Sequence, residues 1–137
     1  MELYEVYLRH PHISTDSRQA TQGTLFFALR GDSFDGNRYA ASALEAGAAA
    51  AVLDNSEVYE TLTEEQRSRC YLVPDTLEAL QQLAAYHRRQ LGIPIFAITG
   101  SNGKTIVKEW LHQLLSPDRR IVRSPRSYNS QIGVPLS

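Results

Sequence analysis

The feature that most constrains this 137-residue chain is a glycine-containing loop at residues 99–105, with the sequence TGSNGKT. The apolar run at residues 95–98 precedes the loop and predicts a β-strand, and apolar residues at helical spacing follow it. Glycines let the backbone curl so that successive N–H groups face an anion. The N-terminus of the following helix adds about half a positive charge in the same direction. The pattern therefore indicates a phosphate-binding strand-loop-helix.

Two residues at the end of this loop carry the chemistry. Lys104 is predicted to reach the outer phosphates of a bound polyphosphate and is the predicted catalytic residue, and the Thr105 hydroxyl is predicted to ligate the bridging Mg²⁺. The residues predicted to bind the phosphates are Gly100, Ser101, Asn102, Gly103, Lys104 and Thr105. A turn with this composition also arises without function, but the strand before it and the amphipathic helix after it favour the phosphate site.

Charge is unevenly distributed along the chain. Its net charge of -1 argues against a protein that coats nucleic acid. Residues 1–87 hold 6 basic and 13 acidic side chains, whereas residues 88–137 hold 8 basic and 2 acidic ones. The basic part contains the phosphate loop, where a polyphosphate is expected to bind; a solvated basic face is the alternative.

The single cysteine, Cys70, cannot form an internal disulfide, which favours a reducing compartment. Its neighbours predict a buried strand rather than a catalytic thiol. The first residues lack a basic start and an apolar core for export, and no run is long enough to span a membrane. We therefore expect a cytoplasmic chain without membrane insertion.

Alternating strand and helix patterns predict an α/β fold. Strands are predicted at residues 12–13, 24–29, 48–53, 70–73, 95–98 and 121–123, and helices at residues 39–46, 74–91 and 106–115. Gly92 ends the second helix and marks the predicted domain junction. Residues 1–91 are predicted to form one domain, and residues 92–137 the truncated beginning of a second, nucleotide-binding domain that cannot close its own sheet.

Four segments resemble the Mur ligases. They are TDSR at residues 15–18, GTLFFALRG at 23–31 followed by FDG at 34–36, the contracted loop G-x-x-G-K-T at 100–105, and YNSQIGVP at 128–135. The resemblance implies an N-terminal substrate domain of the MurE and MurF type at residues 1–91, which binds the UDP end of the substrate. The start of a P-loop domain that binds ATP would follow it.

The resemblance also implies a reaction. Mur ligases are ATP-dependent ligases of peptidoglycan precursor synthesis that convert a substrate carboxylate to an acyl phosphate, which an amine then displaces. The branch that adds D-Ala-D-Ala to UDP-N-acetylmuramoyl-tripeptide is the most similar, and residues 107–110 and 124–131 particularly resemble the form that is fused to an alanine racemase. ATP and Mg²⁺ are the implied cofactors, and Ser17, Arg18 and Asn129 the implied substrate-binding residues. The chain by itself is expected to be inactive.

Other interpretations remain open at this point. Asp16 and Ser17 can simply form a turn that leaves Arg18 solvated. The phosphate loop can belong to a non-catalytic nucleotide-binding module, to another Mur ligase, or to a ligase of the folylpolyglutamate synthase type, although enzymes of this last type begin near their ATP loop. Finally, the uncovered strand at residues 95–98 and the apolar face of the following helix predict that the chain associates with itself.

Overall fold

The computed structural model describes residues 2–137. Its elements are α1 (Glu2–Arg9), β1 (Ile13–Ser14), β2 (Leu25–Phe27), α2 (Ala40–Glu45), β3 (Ala50–Leu53), α3 (Ser56–Thr61), α4 (Glu64–Ser68), β4 (Cys70–Leu72), α5 (Thr76–Leu91), α6 (Lys104–Leu115) and α7 (Gly133–Leu136), with 3₁₀ turns at Ser17–Gln19 and Gly36–Tyr39. The predicted α/β class is confirmed. No helix within residues 2–137 is long and apolar enough to cross a membrane.

The four strands form one parallel sheet in the order β1-β2-β3-β4. Every residue of the two central strands, β2 and β3, is buried. Parallel strands covered on both faces consist of continuous apolar residues rather than an alternating pattern, and both central strands have this composition. The apolar runs therefore predicted these strands correctly, to within a few residues at their ends.

The two faces of the sheet are covered by different parts of the chain. Right-handed crossovers between parallel strands that follow in chain order place their connecting segments on one face. The residues buried with Phe26 on that face are Ala20, Ala28, Ala40, Ala43, Leu44, Ala48, Ala51 and Leu53. Helices α1 and α5 cover the other face, where Leu3, Val6, Ala79, Leu80 and Leu83 pack with Leu25, Phe27, Leu29, Ala50 and Val52. Because Phe26 and Phe27 are both core residues, neither is available to stack on a ligand.

Local side-chain and glycine signals define several helix ends. A capping box at Thr63 and Gln66 starts α4. Asp75 caps α5 by accepting a hydrogen bond of 2.8 Å from the Glu78 N–H. Gly92 ends α5 with φ of 59°, in the left-handed region that favours glycine.

Several features differ from the sequence predictions. Helices α1, α3 and α7 were not predicted. The strands predicted at residues 95–98 and 121–123 are wrong, since neither segment pairs with a strand in the described chain. An isolated extended segment gains no ladder hydrogen bonds, and Phe96 is 77% exposed. All four paired strands lie between residues 13 and 72, and the domain division at Gly92 stays a prediction.

The C-terminal segment folds back onto the first part of the chain. Gln81 Nε2 on α5 donates a hydrogen bond of 3.2 Å to the Gln131 carbonyl oxygen. Ile132 and Leu136 pack against the core that α1 and α5 share with the sheet. The IGVP part of the YNSQIGVP segment therefore contacts α5.

Candidate functional site

The loop at residues 99–103 has the backbone conformation that its glycines permit. Gly100 has φ of 148° and Gly103 has φ of 78°, values that residues with a side chain rarely adopt. Gly103 is the N-cap of α6, so the positive end of the helix lies directly after the loop. The helix predicted after the loop is confirmed, and it begins at Lys104.

The structure brings the predicted residues of the loop together. Lys104 Nζ donates a hydrogen bond to the Gly100 carbonyl oxygen, so the side chain curls back over the loop. The Thr105 Oγ1 lies 2.9 Å from the Ser127 Oγ, a contact that the sequence did not predict. The loop residues Ser101 and Asn102 are exposed and open to a ligand. Their roles in binding ATP stay predictions.

The residues around Thr105 fit a magnesium ion held together with a nucleotide. Hydroxyl oxygens are hard ligands of the kind that Mg²⁺ prefers, and two of them, on Thr105 and Ser127, meet here. Within residues 2–137, no group of three or more His, Cys, Asp or Glu side chains is placed to hold a metal ion. The donor set is therefore suited to a cation that takes most of its ligands from phosphates and water.

A single lysine holds the segment that contains Ser127. Lys108 Nζ donates to the carbonyl oxygens of Ser124 at 2.9 Å and Arg126 at 3.1 Å. The Asn129 N–H donates to the Ser127 carbonyl oxygen at 3.0 Å. Asn129, a predicted substrate-binding residue, thus follows closely on the segment that contacts the phosphate loop.

The second predicted site, at Ser17 and Arg18, is a capped turn. Asp16 accepts hydrogen bonds from the Arg18 N–H at 3.0 Å, from its Nε at 3.0 Å and from its Nη2 at 2.7 Å. The hydrogen bonds from the Arg18 side chain and backbone lower the pKa of Asp16. The turn considered as an alternative is therefore present. The Arg18 side chain is 86% exposed, so a ligand can still reach it.

A cavity of about 340 Å³ lies in the loop that follows β2. Its lining residues are Gly31, Asp32, Ser33, Phe34, Asp35, Arg38 and Tyr39. The loop is shaped by an antiparallel bridge between Arg30 and Asp35 and by a hydrogen bond of 2.9 Å from the Gly31 N–H to the Phe34 carbonyl oxygen. Phe34 and Tyr39 are both more than half exposed, so the cavity presents two aromatic rings and the Arg38 guanidinium.

A network of hydrogen bonds around the buried Asn37 holds this loop in position. Asn37 is 0% exposed; its Nδ2 donates to Asp35 Oδ1 at 2.6 Å and to Asp54 Oδ1 at 2.9 Å, and its Oδ1 accepts from the Asp54 N–H at 3.0 Å. Asp54 also accepts hydrogen bonds from the Thr76 N–H at 3.1 Å and from the Arg30 Nε at 2.8 Å. The carboxylate thus connects the loops after β2 and β3 with the start of α5.

Asp54 was missed by the sequence analysis, although a signal for it exists. It directly follows the buried strand β3, at the carboxyl edge of the parallel sheet, where ligands bind in open α/β sheets. Burial by itself raises the pKa of Asp54, but the hydrogen bonds from Asn37 and Thr76, together with the charge of Arg30, outweigh it and lower the pKa overall. The carboxylate is therefore ionised at neutral pH.

Cys70 lies in the edge strand β4. Burial raises the pKa of its thiol to about 11, so the thiol is protonated at neutral pH. The sequence predicted a buried strand here, whereas β4 lies at the sheet edge and is partly exposed.

Comparison with known proteins identifies the family. The family model described as "Mur ligase family, catalytic domain" matches residues 11–88, more than half of the chain. The chain belongs to the Mur ligase family. The matched residues include the sheet, the cavity loop and Asp54, and they end before the phosphate loop.

Mur ligases similar to the chain extend the comparison to the phosphate loop. The UDP-N-acetylmuramoyl-tripeptide--D-alanyl-D-alanine ligase of Synechocystis sp. is 42% identical over 130 residues, which are 93% of this chain and 27% of that protein. The same ligase of Bacillus subtilis is 38% identical over 125 residues, 91% of this chain and 26% of the relative. The chain therefore spans about a quarter of the length of these relatives.

A solved Mur ligase structure has the same fold. The crystal structure of MurF ligase from Thermotoga maritima in complex with ADP matches with a TM-score of 0.78 and 30% identity. The match covers 91% of this chain and 28% of that one.

Proposed function

We propose that the protein containing this chain is an ATP-dependent ligase that adds D-Ala-D-Ala to UDP-N-acetylmuramoyl-tripeptide in peptidoglycan precursor synthesis. The observation that carries the proposal is the extent of the likeness to the Synechocystis ligase, 42% identity over 93% of the chain. The phosphate loop at the start of α6 supplies the chemistry that such a ligase needs.

The residues of the loop have distinct parts in the proposed reaction. A phosphoryl group passes from ATP to the substrate carboxylate, and the amine of D-Ala-D-Ala then displaces phosphate from the acyl phosphate. Lys104 and the N-terminus of α6 stabilise the negative charge that develops on the transferred group. Thr105 binds the Mg²⁺ of the nucleotide, which neutralises phosphate charge when bound. Catalysis by this loop is mainly positioning and charge neutralisation.

Replacing Lys104 tests the proposal in the full-length protein. Lys104→Ala removes a charge-assisted contact and should weaken nucleotide binding by about 1.5–3 kcal/mol, with a larger loss in turnover. Release of ADP that depends on both UDP-N-acetylmuramoyl-tripeptide and D-Ala-D-Ala measures turnover. Arg120→Ala, which removes a charge from the same basic part of the chain, is the control. Unchanged ADP release by Lys104→Ala would disprove the assignment.

The same assay separates the proposed ligase from the alternatives. A non-catalytic nucleotide-binding module gives no ADP release that depends on the amino substrate, and a ligase of the folylpolyglutamate type does not accept the muramyl tripeptide. The relatives support neither alternative. A fused alanine racemase stays a prediction, which the coding sequence after Ser137 tests. A cytoplasmic location belongs to the same proposal.

We place the UDP end of the substrate at the cavity in the loop after β2, beside Ser17 and Arg18. The exposed rings of Phe34 and Tyr39 suit a nucleobase. An arginine guanidinium matches diphosphate oxygens in a way that a lysine does not. The turn ends at Ala20, which packs in the same core cluster as Ala40, the residue directly after Tyr39, so the turn lies close to the cavity. Asn129 is proposed to line the substrate channel.

Amide shifts on titration with UDP-N-acetylmuramoyl-tripeptide test this placement. Binding to the chain alone should be weak, because much of the contact energy that offsets lost translational freedom lies elsewhere in the ligase. Shifts should cluster at residues 16–18 and 30–36, and Arg18→Ala should reduce them. Shifts confined to residues 100–105 would mean that only the phosphates are bound and that the uridine site is misplaced.

A further inference from the structure

The ammonium group of Lys108, next to the phosphate loop, lies close to three oxygen atoms. The side chain is only 15% exposed, and Nζ lies 2.9 Å from the Ser124 carbonyl oxygen, 3.1 Å from that of Arg126 and 3.2 Å from Glu109 Oε1. A lysine ammonium has three donors, and removing it from water is costly unless they are all used. Two of them donate to one backbone segment, and the ammonium group also forms an ion pair with Glu109.

These contacts fix the backbone of the segment at residues 124–127. The segment has no regular secondary structure, so its own backbone hydrogen bonds do not hold it in place. Glu109 also pairs with Arg123, immediately before the segment, and adds a second connection to α6. The segment is therefore attached to α6 through two neighbouring residues of the helix.

The attachment places Ser127 against the phosphate loop. Lys108 follows Thr105 by three positions on α6, so the two side chains lie on one face of the helix. Lys108 binds the carbonyl oxygen of Arg126, and the next residue, Ser127, has its Oγ 2.9 Å from the Thr105 Oγ1. Holding the Arg126 backbone thereby holds the hydroxyl of Ser127 at Thr105.

We propose that Lys108 is a positioning residue of the nucleotide site, which orients the Thr105 hydroxyl for the cation by holding Ser127 against it. The inference rests on the proposed function, since it requires that Thr105 meets a magnesium nucleotide. A hydrogen bond from a neighbouring residue fixes the direction of a metal-binding oxygen, and removing such a partner typically weakens metal affinity. Lys108 acts indirectly, first through the backbone of Arg126 and then through Ser127.

Calorimetric titration of the full-length protein with ADP, once with Mg²⁺ and once with EDTA, tests the proposal. Lys108→Met should weaken binding of ADP in the presence of Mg²⁺ by about tenfold or more. Binding in EDTA should change little, because the loop glycines and Lys104 are untouched. Lys108→Arg keeps charge and donors and should restore most of the affinity. Arg120→Met, which removes a charge without touching residues 124–127, is the control.

Ser127→Ala and the double variant show whether Lys108 acts through Ser127. Ser127→Ala removes one hydroxyl and should reproduce the Mg²⁺-dependent loss. Adding Lys108→Met to it should cause little further loss, since the two residues act in series. A wild-type protein that does not bind ADP with Mg²⁺ would contradict the proposed function itself. Wild-type binding with an additive double variant, an unaffected Ser127→Ala, or equal losses with and without Mg²⁺ would overturn the role of Lys108 alone.

Discussion

The carboxylate of Asp54 organises the carboxyl edge of the sheet. Taking a carboxylate out of water is costly, and the hydrogen bonds from Asn37, Thr76 and Arg30 offset that cost. Its partners lie 17 to 24 positions away in the sequence. The network therefore depends on the completed fold, and removing Asp54 leaves buried donors of Asn37 and Thr76 without an acceptor.

Asp54→Ala should lower the free energy of unfolding by about 3 kcal/mol, because it leaves one N–H of the buried Asn37 amide and the Thr76 N–H without their acceptor. Urea denaturation at neutral pH measures the change. The control is Asp32→Ala, an exposed carboxylate in the same cavity loop, which should change stability by no more than about 0.5 kcal/mol. Equal effects of the two variants would contradict the role of Asp54 in the network.

Asp54 should also make stability depend on pH in the acid range. Its pKa in the folded state lies below the ordinary value of 3.8, so the unfolded chain takes up a proton first as the pH falls. The stabilisation is fully present above the ordinary pKa and is lost as the pH falls through the lowered one. Urea denaturation from pH 6 to pH 2 should show a smaller acid loss in Asp54→Ala than in the wild type. An unchanged pH profile would contradict this.

Single residues differ in how far the sequence predicts them. Lys104 and Thr105 are placed by a short motif, and the structure brings both to the loop. Asn37 and Ser127 acquire their contacts from residues 17 and 22 positions away, which a local pattern does not encode. The loop motif could therefore be predicted from the sequence. The hydrogen bonds of Asn37 and Ser127 could not, because they join residues that only the folded chain brings together.

Among the elements, local signals were present for both α5 and α1, but only α5 was predicted. Helix α5 has its cap and its terminal glycine in the sequence, and the structure has both. Helix α1 has apolar residues at helical spacing, Leu3, Tyr4, Val6 and Tyr7, all of which pack on the core, and this signal was missed. The segment at residues 95–98 has strand composition, but a strand also needs a neighbour.

Gly103, in the loop before α6, can be compared with Gly23, which has nearly the same backbone conformation but lies outside the loop. Gly103 and Gly23 have φ of 78° and 80°, and a Cβ at either would meet no atom within 4 Å. Alanine at each should therefore cost a similar backbone strain of about 1 kcal/mol. Gly103→Ala should weaken ADP binding, measured by calorimetry in the full-length protein. Gly23→Ala should lower stability and leave ADP affinity unchanged. Equal ADP affinities of the two variants would contradict the loop assignment.

At the scale of the whole molecule, residues 93–137 expose many large apolar side chains. The large apolar side chains exposed there are Ile93, Ile95, Phe96, Ile106, Val107, Trp110, Leu114, Val122 and Val134. Exposed apolar area of this extent favours association. Residues 2–91 expose fewer such side chains, among them Phe34 and Tyr39, and most of their apolar residues fill the two faces of the sheet.

The 137-residue chain should therefore associate with itself as its concentration rises. Light scattering on a concentration series measures the mass. The double variant Phe96→Ser and Trp110→Ser should shift the association to higher concentration. Phe34→Ser removes an exposed ring at the cavity after β2 and should leave the association unchanged. A monomer at all concentrations for the unaltered chain would contradict the prediction.

The strands pair in the order in which they occur along the chain, and this order affects how the sheet can form during synthesis. Because each strand pairs with the one before it, the sheet can grow in the order in which the ribosome releases the chain. Such pairings close short loops and carry little entropic cost. Helix α1 is the exception, since it packs against α5, more than sixty residues later. Helix α1 is thus released before the sheet but docks only once α5 has followed, and Leu3 and Val6 stay exposed until then.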